Sequence, residues 1–164
     1  MTHNSSPLPP LENPRLIVEK SSRRLFVCDG ERLVATYPIG LGFAPDGDKE
    51  REGDGKTPEG EFYVFAKNEQ SRFYLSLGLS YPSADAARRG LAENLITREE
   101  HDAVLGAIEA GAMPPQKTAL GGEIYIHGGG AGEDWTRGCV ALADEEMKAL
   151  FEAIPIGTRV VILP

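Results

Sequence analysis

Cys139 and His127 are the residues of this chain best suited to nucleophilic chemistry. His127 ends a run of alternating apolar residues that predicts a strand, and Cys139 follows after a glycine-rich loop. A thiol is a good nucleophile at neutral pH when a neighbouring imidazole takes its proton and lowers its pKa. The pair therefore indicates thiol catalysis. The alternative is a small buried cysteine and a strand-end histidine with a structural role.

The residues just before Cys139 add to the catalytic interpretation. Glycine at 138 allows the chain to turn, so that the backbone N–H groups of Gly138 and Cys139 could form an oxyanion hole. Arg137 lies two residues before the thiol, where it could bind substrate. Its alternative role is that of a surface cation in an acidic protein.

The elements that must position these residues are mostly strands. From residue 15 the segments are rich in β-branched and aromatic residues and are separated by turn signals, with a hairpin turn at Asp29-Gly30. Residues 42–60 are predicted to form an exposed loop. The alanine- and glutamate-rich stretch 83–111 predicts two helices inserted between strands, and residues 144–154 predict a third. The predicted class is mainly β with inserted helices, or α+β.

Composition limits the function classes. The chain has 164 residues, with 25 acidic and 17 basic side chains and a formal net charge of −8, which disfavours nucleic acid or an anionic membrane as partner. No apolar run approaches the roughly 20 residues that span a bilayer. Residues 1–14 are polar and rich in proline, which predicts a flexible segment without a secretory signal. Neither a metal nor another cofactor is expected, because one cysteine with one nearby histidine is too few ligands.

Several ordered motifs resemble the catalytic domain of L,D-transpeptidases, the YkuD family. The similarity covers residues 15–163 and is carried by short segments: Ile126-His127-Gly128, Thr136-Arg137-Gly138-Cys139-Val140, Thr57-Pro58-Glu59-Gly60-Glu61-Phe62, Gly40-x-Gly42 and Ile154-Pro155-Ile156-Gly157-Thr158. The resemblance implies a catalytic domain over residues 15–164 with a β-sandwich or barrel fold and a helical insert near the active site.

The resemblance also implies a role for each matching residue. Cys139 would be the nucleophile, and His127 its general base and later its general acid. In the family a backbone carbonyl at the position of Gly128 often orients the imidazole. Thr136 would line the site, and Gly138 with Cys139 would supply the oxyanion donors.

This chain departs from the family pattern at two positions. Many members have histidine where this chain has Arg137, and arginine where it has Ala141. These departures concern acceptor preference and substrate contacts rather than the thiol chemistry. The segment 79–82, followed by the helical pair, is similar to a YafK-like branch of the family. The insert 83–113 could be a lid over the site or a packing element.

The activity implied by the resemblance is that of a cysteine acyltransferase on peptidoglycan stem peptides. A thioester at diaminopimelate would pass to the amine of an acceptor peptide or protein. One alternative is a hydrolase of the same bonds, either an L,D-carboxypeptidase or an amidase that releases a peptidoglycan-linked protein. Another is a non-catalytic envelope-binding module. The substrate places the protein in the periplasm or cell envelope, or among secreted effectors.

Overall fold

Short segments with alternating burial form the strands of this protein. In the first strand Leu16 and Val18 are fully buried, and in the second Leu25 and Val27 are. The computed structural model describes residues 6–164. Its elements, in chain order, are β1 (Pro14–Glu19), β2 (Arg24–Asp29), β3 (Arg32–Pro38), β4 (Gly60–Ser71), β5 (Tyr74–Leu79), α1 (Ala84–Ala92), α2 (Arg98–Ala110), β6 (Tyr125–His127), β7 (Val140–Ala141), α3 (Asp144–Ala153) and β8 (Arg159–Leu163).

The strands form one curled sheet in the order β3-β2-β1-β8-β4-β5-β6-β7. The pairs β1–β8 and β6–β7 are parallel, and the other pairs are antiparallel. The chain after β3 reaches the opposite end of the sheet, where Gly40 and Ala141 exchange two backbone hydrogen bonds of 2.9 Å. This pairing brings the two ends of the sheet together. Over residues 6–164, eight strands form one sheet and two helices are inserted between β5 and β6, so the predicted mainly β fold with inserted helices is confirmed.

The inserted helices have the termini that the sequence predicts. Thr97 and Glu100 form a capping box at the start of α2, and Gly111 ends it in the left-handed region with a φ of 66°. The two helices share a small apolar cluster with the chain that follows them, which includes Val104 and Leu120. A separate and larger core lies between α3 and the inner face of the sheet.

The predicted flexible segment at residues 1–14 falls partly outside the described residues. Within the described part, Leu8 and Leu11 pack against the main core. The N–H of Asn13 donates to Asp29 at 2.7 Å. None of the helices within residues 6–164 has the length and apolar character needed to cross a bilayer.

The loop over residues 42–60 is not simply exposed, contrary to the sequence-based prediction. Lys49 is only 3% exposed, and Thr57 is fully buried. The Lys49 ammonium donates to Asp54 at 2.8 Å, and the Thr57 hydroxyl accepts from the N–H of Gly42 at 3.0 Å. Composition alone misses this because the polar side chains bond to one another and to the backbone instead of to water.

Candidate active site

Cys139 and His127 line the same cleft, a cavity of about 860 Å³. His127 enters it from the end of β6, and Cys139 immediately precedes β7. These two short strands are parallel neighbours in the sheet, with Ile126 opposite Val140. Strand pairing therefore brings together two side chains that are twelve positions apart in the sequence.

The imidazole of His127 is held in one tautomer. Its Nδ1 lies 2.6 Å from the backbone carbonyl oxygen of Gly128. A carbonyl oxygen only accepts hydrogen bonds, so Nδ1 carries the proton and, in the neutral ring, Nε2 keeps its lone pair. Burial lowers the pKa of His127 below its usual value, although the hydrogen bond to Gly128 acts in the opposite direction. His127 is thus set up as a neutral base at physiological pH.

Two aromatic side chains fix the plane of this imidazole. The ring of Phe73 stacks on His127 with centroids 4.7 Å apart, and Trp135 meets it edge-on at 5.5 Å. Phe73 and Trp135 also contact each other at 5.1 Å. Trp135 is anchored in turn by a 3.0 Å hydrogen bond from Nε1 to the carbonyl of Gly130. The ring packing restricts rotation of His127 within the cleft.

The thiol of Cys139 is protonated in the resting conformation. Its Sγ donates to the carbonyl of Glu123 and accepts from the N–H of Tyr125, both at 3.4 Å. Burial raises the pKa of Cys139 to about 11, and the N–H of Tyr125 only partly offsets this. The sequence-based expectation of a thiol pKa below the ordinary value is therefore wrong for this state. Within residues 6–164 no hydrogen bond joins Sγ to His127, so no imidazolium stabilises a thiolate.

The turn that presents Cys139 depends on Thr136 and Gly138. The Thr136 hydroxyl donates to the carbonyl of Cys139 at 2.8 Å and accepts from the N–H of Gly138 at 3.1 Å. Gly138 has a φ of +141°, and a Cβ there would lie 2.9 Å from the carbonyl oxygen of Lys56. Only glycine suits this position. Because the N–H of Gly138 is already bonded, the N–H of Cys139 is the remaining candidate of the two proposed oxyanion donors.

Replacing Thr136 with valine is expected to lower the free energy of unfolding by about 1–3 kcal/mol. The buried N–H of Gly138 and the half-buried carbonyl of Cys139 lose their partner, while the side-chain shape is kept. Urea denaturation measures this. Thr136→Ser keeps the hydroxyl and is the matched control. Equal stability of the valine variant and the wild type would contradict the hydrogen-bonding role.

The loop between β6 and β7 is anchored at several points. Asp134 pairs with Arg23 at 2.8 Å and accepts from the N–H of Leu41 at 3.1 Å. The hydrogen bond from Arg23 is the main reason that the pKa of Asp134 is lowered. At the start of the loop, the N–H of Gly129 donates to Asp144 of α3 at 2.9 Å. These contacts connect the glycine-rich loop to the first hairpin and to the last helix.

The remaining predicted positions have distinct surroundings. Arg137 is exposed and lines the cleft, and within residues 6–164 it forms no ion pair or side-chain hydrogen bond. Ala141, where many family members have arginine, is fully buried in β7 and pairs with Gly40. No residue of the helical insert 83–113 lines the cleft among the residues described. The insert contacts the loop of residues 42–60 instead, where Arg89 donates to the carbonyl of Glu50 at 3.0 Å.

Sequence reasoning missed several residues of the cleft. Phe73 comes from the turn between β4 and β5, and Lys49 from the loop that was expected to be exposed. Glu123 contacts the thiol through its carbonyl oxygen, a role that any residue type could fill. One sequence signal could have indicated Phe73 as a cleft residue. Phe73 and Tyr74 lie at a hairpin turn, where Gly, Pro, Asn, Asp and Ser are the usual residues.

Comparisons with known proteins identify the family of this chain. The family model of YkuD, the L,D-transpeptidase catalytic domain, matches residues 13–162. YqjB of Bacillus subtilis (strain 168), named as a candidate L,D-transpeptidase, is 29% identical over 162 residues, which cover 96% of this chain and 74% of that protein.

Solved structures share the fold. The helical cell shape determining protein Pgp2 (K307A mutant) of Campylobacter jejuni has a TM-score of 0.61 at 20% identity, covering 95% of this chain and 49% of its own. An L,D-transpeptidase (residues 123-326) of Xylanimonas cellulosilytica has a TM-score of 0.56 at 17% identity, covering 96% and 64%. The chain thus spans about half to two thirds of these solved chains. The match over nearly all of its length shows that the chain belongs to the YkuD family, as an L,D-transpeptidase catalytic domain.

Proposed function

We propose that this protein is a cysteine acyltransferase that acts on peptidoglycan stem peptides. The observation that carries the proposal is the shared cleft of Cys139 and His127, in which His127 is neutral and has its Nδ1 proton bound to Gly128. Such an imidazole can accept a proton at Nε2 when substrate enters. The substrate class is that of the L,D-transpeptidase family to which the chain belongs.

In the first half-reaction the Cys139 sulfur attacks the diaminopimelate carbonyl while its proton passes to His127. The N–H of Cys139 stabilises the oxyanion that forms. The bond between diaminopimelate and D-alanine then breaks, and the proton on His127 moves to the departing amine. A thioester on Cys139 and free D-alanine are the products of this step.

In the second half-reaction an amine attacks the thioester, with His127 again taking the proton. The acceptor is an amine of a second stem peptide or of a protein, and the product is a new amide bond with a free thiol. Water competes for the same thioester and gives a shortened stem.

The alternative of a non-catalytic envelope-binding module is less well supported, because such a module would not need a neutral base and a thiol in one cleft.

The experiment is incubation of the protein with purified muropeptides, followed by mass spectrometry of the products. Transfer gives a dimer joined through two diaminopimelate residues and releases D-alanine. Hydrolysis gives a stem shortened by one alanine, and amidase activity gives a released peptide or protein fragment. The proposal would be overturned if folded protein gave none of these products and was also not acylated by a carbapenem. We also propose that the reaction takes place in the cell envelope, where peptidoglycan lies.

Arg137 is proposed to bind a carboxylate of the stem peptide. Its guanidinium is exposed at the cleft, and its planar fork suits a carboxylate. Arg137→Gln is expected to raise KM about tenfold while kcat changes less than about threefold, because binding is lost equally in ground and transition states. Steady-state kinetics with a stem tetrapeptide tests this. Arg137→Lys keeps the charge but not the planar fork, so its KM should lie between those of the wild type and Arg137→Gln. An unchanged KM in Arg137→Gln would show that Arg137 does not bind substrate.

A further inference from the structure

The resting thiol is held by a short backbone segment that enters β6. Cys139 Sγ–H donates to the carbonyl of Glu123, and the N–H of Tyr125 donates to Sγ, each at 3.4 Å. The first contact stabilises the neutral thiol, whereas the second favours the thiolate. The position of the Glu123 carbonyl therefore bears on how readily the thiol loses its proton.

Glu123 does not adopt its conformation at low cost. Its φ of 56° lies in the left-handed region, which is unfavourable for a residue other than glycine. A contact must hold it there. The N–H of Glu123 donates to Oε1 of Gln116 at 2.7 Å, a short hydrogen bond from outside the strand.

Gln116 is itself fixed on both sides. Its Nε2 donates to the carbonyls of Tyr81, at 2.8 Å, and Pro114, at 2.9 Å. A Cβ on Gly122 would collide with the backbone carbonyl of Gln116, so the two chain segments are in direct contact. The amide of Gln116 thus joins the chain before the helical insert, the chain after it, and the segment that contacts the nucleophile.

We propose that Gln116 is a positioning residue for the nucleophile, because it holds Glu123 so that its carbonyl binds the S–H of Cys139 in the resting enzyme. The thiol stays protonated until substrate displaces it toward His127. This inference rests on the proposed role of Cys139 as nucleophile. Gln116 does not line the cleft, so it acts through Glu123 and not on substrate.

Two charged side chains also act on the thiol. The charge of Glu123 raises the pKa of Cys139, and the ammonium of Lys49 lowers it. His127 and Tyr125 complete the ionisable groups on the neighbouring strand β6. Loss of the Gln116 amide therefore removes the hydrogen bond that holds the Glu123 carbonyl against the thiol, an interaction that favours the neutral thiol, and it removes no contact of Lys49.

The test is alkylation of Cys139 by iodoacetamide between pH 6 and 11, in a Cys28→Ala background, followed by intact-protein mass spectrometry. Gln116→Met keeps the side-chain volume but removes all three hydrogen bonds. We expect the midpoint of its alkylation profile to fall by about one pH unit, which gives about tenfold faster alkylation at pH 8. Lys117→Met is the matched control. It removes the 3.4 Å ion pair with the Glu123 carboxylate and should leave the midpoint within a few tenths of a unit.

An unchanged or higher midpoint in folded Gln116→Met would overturn the proposal. So would faster alkylation by a constant factor at every pH, since that pattern reports only a more open cleft. If circular dichroism shows that Gln116→Met is unfolded, Gln116→Asn provides the test under the same criterion, with a smaller shift in the same direction. Alkylation needs no stem peptide, so its result is independent of whether the muropeptide assay succeeds.

Discussion

Cys139→Ala is expected to lower stem-peptide turnover by at least about 10⁴-fold, because the thioester cannot form without the sulfur nucleophile. The fold should survive this change. The two hydrogen bonds that the Cys139 sulfur forms are long, at 3.4 Å, so little stabilisation is lost with it. Turnover is measured as D-alanine released from a stem tetrapeptide.

Cys28→Ala is the matched control for this prediction. Cys28 is buried in β2 and lies outside the cleft, so its replacement should leave turnover within about twofold of wild type once the protein is folded. Turnover by Cys139→Ala at more than a few per cent of wild type would show that another group attacks the substrate.

His127→Ala is expected to lower kcat by about 10²–10⁴-fold, the usual contribution of a positioned general base. The physical reason is the thiol pKa of about 11, which leaves almost no thiolate at neutral pH unless a base removes the proton. His101→Asn, in α2 and outside the cleft, is the control and should retain wild-type turnover.

The pH profiles of the wild type and of His127→Ala should differ in shape as well as in height. Burial lowers the pKa of His127, so the neutral base is present throughout neutral pH and kcat/KM should fall only below the ordinary histidine range. Without the base, the rate should follow the thiolate fraction and rise about tenfold per pH unit from pH 7 toward the thiol pKa. A wild-type profile with that same slope between pH 7 and 9 would mean that His127 does not deprotonate Cys139.

Local signals in the sequence were enough to predict the elements that hold the site. The capping box of Thr97 and Glu100, the turn at Gly30 and the closing helix α3 depend on contacts between residues close in sequence. The motifs around His127 and Cys139 likewise lie within one short stretch. Strand pairing between β6 and β7 then brings the two side chains to one cleft.

Features that depend on distant segments could not be predicted in the same way. Phe73 reaches His127 only because β4 and β5 extend to the cleft. Lys49 is buried because its loop folds against Gly121. The resting state of Cys139 was predicted wrongly for the same reason. Its high pKa results from burial, a property of the folded chain that residue types and spacing do not determine.

The most direct test of Cys139 as the nucleophile is to locate the covalent intermediate. The protein is incubated with a carbapenem or a stem tetrapeptide, quenched in acid and digested with trypsin. Cleavage after Arg24 and Arg137 separates the two cysteines into the peptides 25–32 and 138–148. An acyl adduct is expected on peptide 138–148 only, and it should form much more slowly in His127→Ala. An adduct on peptide 25–32, or full acylation of Cys139→Ala, would contradict this role for Cys139.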